Sequence, residues 1–386
     1  VYALLFAETG LSTAEITSLL IIWSVVPVVL EVPSGAIADL IPRRILLVGA
    51  ALIRGIGFGL WVAAPGYPSF AIGFVLWGGG SALESGTYES YVYDHLVAAG
   101  AVDRYRAVIS SGRSGGLVLN LLATVTAAPL LSAWGFGAVG AVSVAACIAQ
   151  ALIAATLPAD RRMARHGGAA ESTQNGPADV EGLGAGWFAT VRAGLAEATR
   201  VRAVRRALVL AVLLPAFGVL DEYFGLLARD MHTSLDAIPL LVSSTVAAQA
   251  IGAFAARRFP ARRVGAAIVA SAALIGAGAL AGVPVGFLAV AVGYGLFEMA
   301  VVVVETRLQD AITGPARATV TSVAGMLLDG LTIGMLGAIA VGSAVLSVIG
   351  IVVALAIGML PVAWLAARWT GAEDSRPATV QLDSRG

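Results

Sequence analysis

Six acids, Glu31, Glu84, Asp221, Glu222, Glu298 and Asp329, and two arginines, Arg54 and Arg113, stand inside otherwise apolar stretches. Those stretches run for roughly 20 residues, the length that crosses a bilayer. A charge near the bilayer centre costs ~2.5–3.5 kcal/mol on insertion scales, so each such residue is paired, solvated or functional. At ~1.5 Å of rise per residue, Asp329 lies about 16 Å from the arginine-rich edge, Asp221 about 21 Å and Glu84 about 12 Å. Glu31 comes out at about 10 Å, Glu298 at about 9 Å, Arg54 at about 14 Å and Arg113 at about 9 Å. Depth therefore pairs Arg54 with Glu31 as a structural ion pair, and Arg113 with Glu84. Asp221, Glu222, Glu298 and Asp329 are then left without an intramembrane cation. Taking a carboxylate out of water disfavours its charged form, so these groups either exchange protons or face a wet cavity. Both outcomes suit proton coupling to a solute. Asp221 and Asp329 lead as coupling residues. Glu222 and Glu298 also read as polar groups hydrogen-bonded between helices. Neighbouring acids on an α-helix point ~100° apart, so Asp221 and Glu222 cannot face one spot.

Aromatic residues accompany these acids. Tyr88 and Tyr91 follow Glu84 at plus four and plus seven, which is one face of a continuous helix. Tyr223 and Phe224 adjoin the Asp221 pair. An acid among aromatic rings suits an amphipathic or cationic organic solute, with helix packing and interfacial anchoring as the other reading. Asn120, Gln150 and Gln249 are weaker polar candidates within spans. Gly112-Arg-Ser114-Gly-Gly116 spells a serine-hydrolase elbow, but that motif needs a strand-to-helix turn and a histidine base. Here it falls in a helix-length apolar run, and His95, His166 and His232 all fall in loops. No enzyme is expected. The absence of a phosphate-cradling glycine loop argues against ATP-driven transport. Cys147 is the single cysteine, so neither an internal disulfide nor a metal cluster nor any cofactor is expected.

The elements that must position these residues follow from composition. Of 386 residues, 58% are apolar and 12% are charged, and mean hydropathy is +0.88. An ordinary soluble domain is roughly 25% charged. So much apolar surface cannot bury itself, and lipid must cover the excess. That excludes a soluble enzyme, a nucleic-acid-binding domain and a disordered scaffold. The 24 arginines balance 24 acids, so no bulk field draws in polyanions.

Eleven complete spans are expected: Ile16–Ala38, Ile45–Ala64, Phe70–Val92, Ala107–Leu131 and Phe136–Leu157, then Ala207–Ala228, Ile238–Ala256, Val264–Ala281, Val285–Val304, Ala318–Val341 and Ala344–Ala367. Setting aside Arg54 and Arg113, 21 arginines fall on one side of these spans and only Arg229 on the other. Positive charge collects on the cytoplasmic side, so a cytoplasmic C-terminus in a multi-pass inner (plasma) membrane protein is expected. The domains read as an N-terminal transmembrane half at 1–157, a linker with an amphipathic helix at 158–206, a C-terminal transmembrane half at 207–368, and a polar tail at 369–386.

The two sets of spans repeat. Gly35-Ala-Ile-Ala38 with Pro42-Arg-Arg44 returns as Gly252-Ala-Phe-Ala255 with Pro260-Ala-Arg-Arg263, and Arg106-Ala-Val-Ile-Ser-Ser111 returns as Arg317-Ala-Thr-Val-Thr-Ser322. The offsets are 217 and 211, and each match holds the same place in its set. Parallel-repeat halves around a midplane site are a transporter architecture. Tyr2 and Leu5 align with Tyr223 and Leu226. By that register the first span is truncated, with roughly 15 apolar residues expected upstream.

Gly35-Ala-Ile-Ala-Asp39-Leu-Ile-Pro42-Arg43-Arg44 resembles the loop signature of the major facilitator superfamily. Gly35, Asp39, Arg43 and Arg44 match it, while Leu40 and Pro42 replace an arginine and a glycine. Glu31-Val-Pro33-Ser-Gly35 and Ser85-Gly86 with Tyr93-Asp94-His95-Leu96 are similar to a bacterial, drug-exporter-like branch. The resemblance implies an all-α integral membrane protein of two six-helix pseudo-symmetric halves. It also implies a cytoplasmic gate in which Asp39, Arg43 and Asp94 latch the outward-open state. The second half keeps Arg262 and Arg263 without an acid matching Asp39, so its latch is weaker or uses Asp310. Two departures stand beside the match. No arginine precedes Leu76-Trp77-Gly-Gly-Gly80, and no Gly-Pro pair follows Gly112. The expected activity is alternating-access secondary transport of a small organic solute by a monomer, as proton-coupled efflux. A proton-coupled importer or uniporter, and a non-transporting scaffold or receptor, are the alternatives.

Overall fold

Where the sequence is apolar for a bilayer's width, the backbone is helical, because a helix satisfies its own N–H and C=O groups without water. The computed structural model describes residues 2–158, 201–312 and 317–370. Most of the expected linker, the tail beyond 370, the side chains of Asp39 and Arg113, and the surroundings of Gly35 lie outside the described residues. The helices are α1 (Tyr2–Glu8), α2 (Thr13–Leu40), α3 (Arg43–Ala63), α4 (Tyr67–Glu84), α5 (Thr87–Ala98) and α6 (Tyr105–Thr156). There follow α7 (Arg202–Leu213), a 3-10 segment (Pro215–Tyr223), α8 (Phe224–Asp230), α9 (Ile238–Ala255) and α10 (Val264–Leu280). The series ends with α11 (Gly286–Ala311), α12 (Arg317–Gly342) and α13 (Val348–Thr370). Among the described residues there is no strand, and nine stretches are long and apolar enough to cross a membrane. Leu119, Ile251 and Val285 are each more than 60% exposed, an apolar surface suited to lipid.

Helix starts and breaks have local causes. Ser12 and Glu15 form a capping box at the start of α2, each side chain taking the other's backbone N–H. The expected span Phe70–Val92 is interrupted at Gly86, whose φ of +69° ends α4 and starts α5 on a new course. Glycine reaches that backbone region without the steric penalty of a Cβ. Within α6, Gly135 leaves helical geometry at φ 71° and ψ −169°, which separates the two spans expected there. The span Ala207–Ala228 is also broken. Pro215 has no N–H to extend α7, and it opens nine residues of 3-10 geometry before α8.

The chain divides into two compact units. One comprises Val1–Asp179, Glu222–Ser243 and Ile333–Val348. Its interior is aromatic, with Phe6 against Phe70 at 4.2 Å, Trp61 against Phe74 at 4.9 Å, and Phe74 stacked on Trp77. Buried rings in tilted or edge contact add to the gain from area alone. The other unit comprises Val180–Asp221, Ser244–Thr332 and Ile349–Gly386. Close backbone approach governs it: a Cβ on Gly252 would sit 2.0 Å from the Gly295 carbonyl oxygen, so α9 meets α11 only where a side chain is missing. Small residues permit this contact between membrane helices.

Candidate functional site

In the first unit, three polar side chains from three helices meet inside the apolar packing. The Arg54 guanidinium on α3 pairs with the Glu84 carboxylate, the last residue of α4. Gln150 on α6 joins them, its Nε2 donating to Glu84 Oε1 at 3.1 Å and its Oε1 accepting from Arg54 at 3.4 Å. Arg54 is 17% exposed and Glu84 33%. The expected pair of Arg54 with Glu31 is therefore replaced by Arg54 with Glu84. Depth counting fixes height along a helix but not the direction a side chain points, and Glu31 on α2 is exposed. Glu84 takes Arg54 in place of the expected Arg113, whose side chain is outside the described residues.

A second constellation ties α1 and α2 to the segment around Glu222, within the same unit. The Tyr2 hydroxyl donates to the Glu222 carboxylate. Thr17 Oγ1 donates to the Thr13 carbonyl at 2.7 Å, so the 2.8 Å contact between Thr17 and Tyr223 is completed by the Tyr223 hydroxyl as donor. Arg229 reaches Glu8 at 3.1 Å. Glu222, expected to lack an intramembrane cation and also read as a polar group hydrogen-bonded between helices, has a phenol as its partner, in line with the second reading. Its helical setting also differs: Asp221 and Glu222 lie in 3-10 geometry, where successive side chains turn by about 120°.

The Tyr2 ring also forms one wall of a cavity of about 160 Å³. Phe58, Trp61 and Trp77 supply further aromatic walls, and Phe136, Val139 and Ser143 of α6 complete it. Tyr2 stands edge-on to Trp77 at 5.8 Å. The cavity and the Glu222 carboxylate therefore share one side chain. The aromatic residues proposed from the sequence are placed differently. Tyr223 and Phe224 are fully buried and are packing groups. Tyr91 is 5% exposed, and its hydroxyl donates to the Pro158 carbonyl at 2.9 Å. Tyr88 lies at the surface of α5, beyond the Gly86 break, so it does not continue the face of Glu84. Trp61 and Trp77 were missed because nothing in their spacing marks them; Trp77 falls in the Leu76-Trp77-Gly-Gly-Gly80 run noted only for lacking an arginine.

Of the expected gate, Arg43 and Asp94 form an ion pair at 2.7 Å between α3 and α5. Arg44 donates instead to the Leu157 carbonyl at 3.3 Å. Arginines in the first turn of α3 oppose the helix dipole, and Asp94 offsets that. In the second unit Glu298 is half-buried on α11, while Asp329 on α12 and Asp221 on the 3-10 segment are exposed. Among the described residues no arginine pairs with Glu298 or Asp329. Glu305, seven residues beyond Glu298 and on the same side of α11, is an acid the sequence reading did not single out.

No family model and no curated sequence matches the chain. Solved structures do. A mutant form of the nucleoside transporter NupG matches with a TM-score of 0.69 at 13% identity, over 96% of this chain and 93% of that one. A bacterial homologue of the iron transporter ferroportin in an inward-facing state matches with a TM-score of 0.64 at 15% identity, over 97% and 93%. An auto-inhibited POT family peptide transporter matches with a TM-score of 0.64 at 15% identity, over 96% and 91%. At such identities the likeness is one of fold.

Proposed function

We propose, from the major facilitator fold of this all-α integral membrane protein, that the chain is a secondary transporter working by alternating access. The solute is a small organic molecule of cationic or amphipathic character, and its movement is coupled to protons. One observation carries the reading: Tyr2 forms part of an aromatic cavity wall and donates to the Glu222 carboxylate. Rings with an acid beside them attract an organic cation, and a carboxylate within a span holds or releases a proton according to what faces it. Protonating Glu222 removes the charge that makes it a strong acceptor, which weakens its bond to Tyr2. With Tyr223–Thr17 and Glu8–Arg229, that bond fastens α1 and α2 to Glu222, Tyr223 and α8 within one unit. Proton binding and solute binding then act on one contact. Glu298 and Asp329 are further coupling candidates on α11 and α12.

Export is the direction we favour, from the similarity of Glu31-Val-Pro33-Ser-Gly35 and of Ser85-Gly86 with Tyr93-Asp94-His95-Leu96 to an exporter-like branch. The arginine distribution supports a plasma-membrane protein with its C-terminus in the cytoplasm. The test is transport by the full-length protein in proteoliposomes under an imposed pH gradient, against a panel of organic cations. Uptake that an uncoupler abolishes, and that Glu222→Gln reduces at least tenfold, is the expected result. Flux indifferent to both the gradient and Glu222→Gln would overturn proton coupling through this site.

A further inference from the structure

Three helix ends of the second unit line a cavity of about 330 Å³ that shares no lining residue with the aromatic site. From α7 it takes Ala203, Arg206 and Leu210, from α11 Val304, Arg307 and Asp310, and from α13 Trp369. Ala203, Arg206 and Leu210 recur at helical spacing, so a single face of α7 looks into it. Arg206 lies over the Trp369 ring at 5.9 Å. The first five residues of α7 carry Arg202, Arg205 and Arg206, and its first turn has no acid, although positive charge at a helix N-terminus opposes the dipole.

We propose that this cavity binds the phosphodiester headgroup of an anionic phospholipid in the cytoplasmic leaflet. The lining is amphipathic in the manner a headgroup requires, with guanidiniums and a carboxylate beside Leu210 and Val304. Guanidinium groups hold phosphate oxygens through paired N–H donors. Tryptophan sits at headgroup level in membrane proteins, and basic recesses between spans on the cytoplasmic side take anionic lipid headgroups. A cavity this size exceeds what a bare phosphate fills.

The test uses the full-length protein in detergent, with lipid binding read by native mass spectrometry. The probes are phosphatidylglycerol, phosphatidylcholine and the soluble phosphodiester sn-glycero-3-phosphoglycerol. Phosphatidylglycerol is expected to be retained at least tenfold more tightly than phosphatidylcholine. Arg206→Gln with Arg307→Gln should remove that preference. Arg205→Gln, exposed on the same helix and outside the lining, should keep most of it. Equal retention of the two lipids overturns the proposal. So does a loss in Arg205→Gln as large as in the double variant, which would make the preference one of general charge. Glycerophosphoglycerol competing as tightly as the lipid overturns the lipid as the source. Should the double variant fail to fold, Asp310→Asn serves: removing the rim carboxylate should tighten phosphatidylglycerol several-fold, and weakening would count against the site. The readout is independent of transport, so its failure and that of the proposed transport function are distinguishable.

Discussion

Arg54, Glu84 and Gln150 exchange hydrogen bonds around a triangle whose corners lie on α3, α4 and α6. Removing one charge strands the other in a half-buried setting. For a fully buried pair that costs ~3–5 kcal/mol; with Glu84 one-third exposed, about 1–3 kcal/mol is the expected loss for Glu84→Gln or Arg54→Gln. The two together should cost less than their sum, which thermal denaturation of purified single and double variants will measure. Glu31→Gln, on an exposed carboxylate, should change stability by less than about 0.5 kcal/mol. An equal loss at Glu31 and Glu84 would contradict the triangle. These charged residues were legible as exceptions in an apolar chain. Their partners were not, because height along the helices was readable and azimuth was not. Glu222 was singled out without its partner, since Tyr2 stands 220 residues away.

At the level of elements, two glycines hold positions for different reasons. Gly86 has open space around it and a positive φ, so Gly86→Ala should cost about 1–2 kcal/mol through backbone strain alone. Gly252 has ordinary geometry but no room, since an added Cβ would meet the Gly295 carbonyl oxygen. Gly252→Ala should therefore separate α9 from α11 and lower the yield of monodisperse protein. Gly325→Ala, with nothing within 4 Å, should behave as wild type. Size-exclusion profiles of the three variants separate strain from collision. Helix positions were readable from apolar length. The breaks at Gly86 and across Pro215–Tyr223 were not, because hydropathy is blind to φ. Pro215 was nonetheless a visible signal that α7 could not run on.

On the scale of the molecule, arginine asymmetry predicts orientation. A green fluorescent protein fused after Gly386 should fluoresce, and alkaline phosphatase inserted in the loop after Asp230 should be active. The reverse pattern would invert the assignment and with it the leaflet of the Arg206–Arg307 cavity. The fold was readable because three independent signals agreed: apolar spans, a repeat in register, and the Gly35–Arg44 loop. The aromatic cavity was not readable, because its walls come from helices remote in sequence and from Trp61 and Trp77, which carry no spacing signature.

The tightly wound stretch from Pro215 to Tyr223 has a mechanical consequence. Its nine residues span about 18 Å at ~2.0 Å each, against about 13.5 Å if rewound with 3.6 residues per turn. Rewound, the segment itself would shorten by about 4–5 Å and turn by about half a revolution between its ends. Glu222 rides on that spring, so a change in coil pitch would translate and re-aim its carboxylate in one stroke, without any conventional hinge.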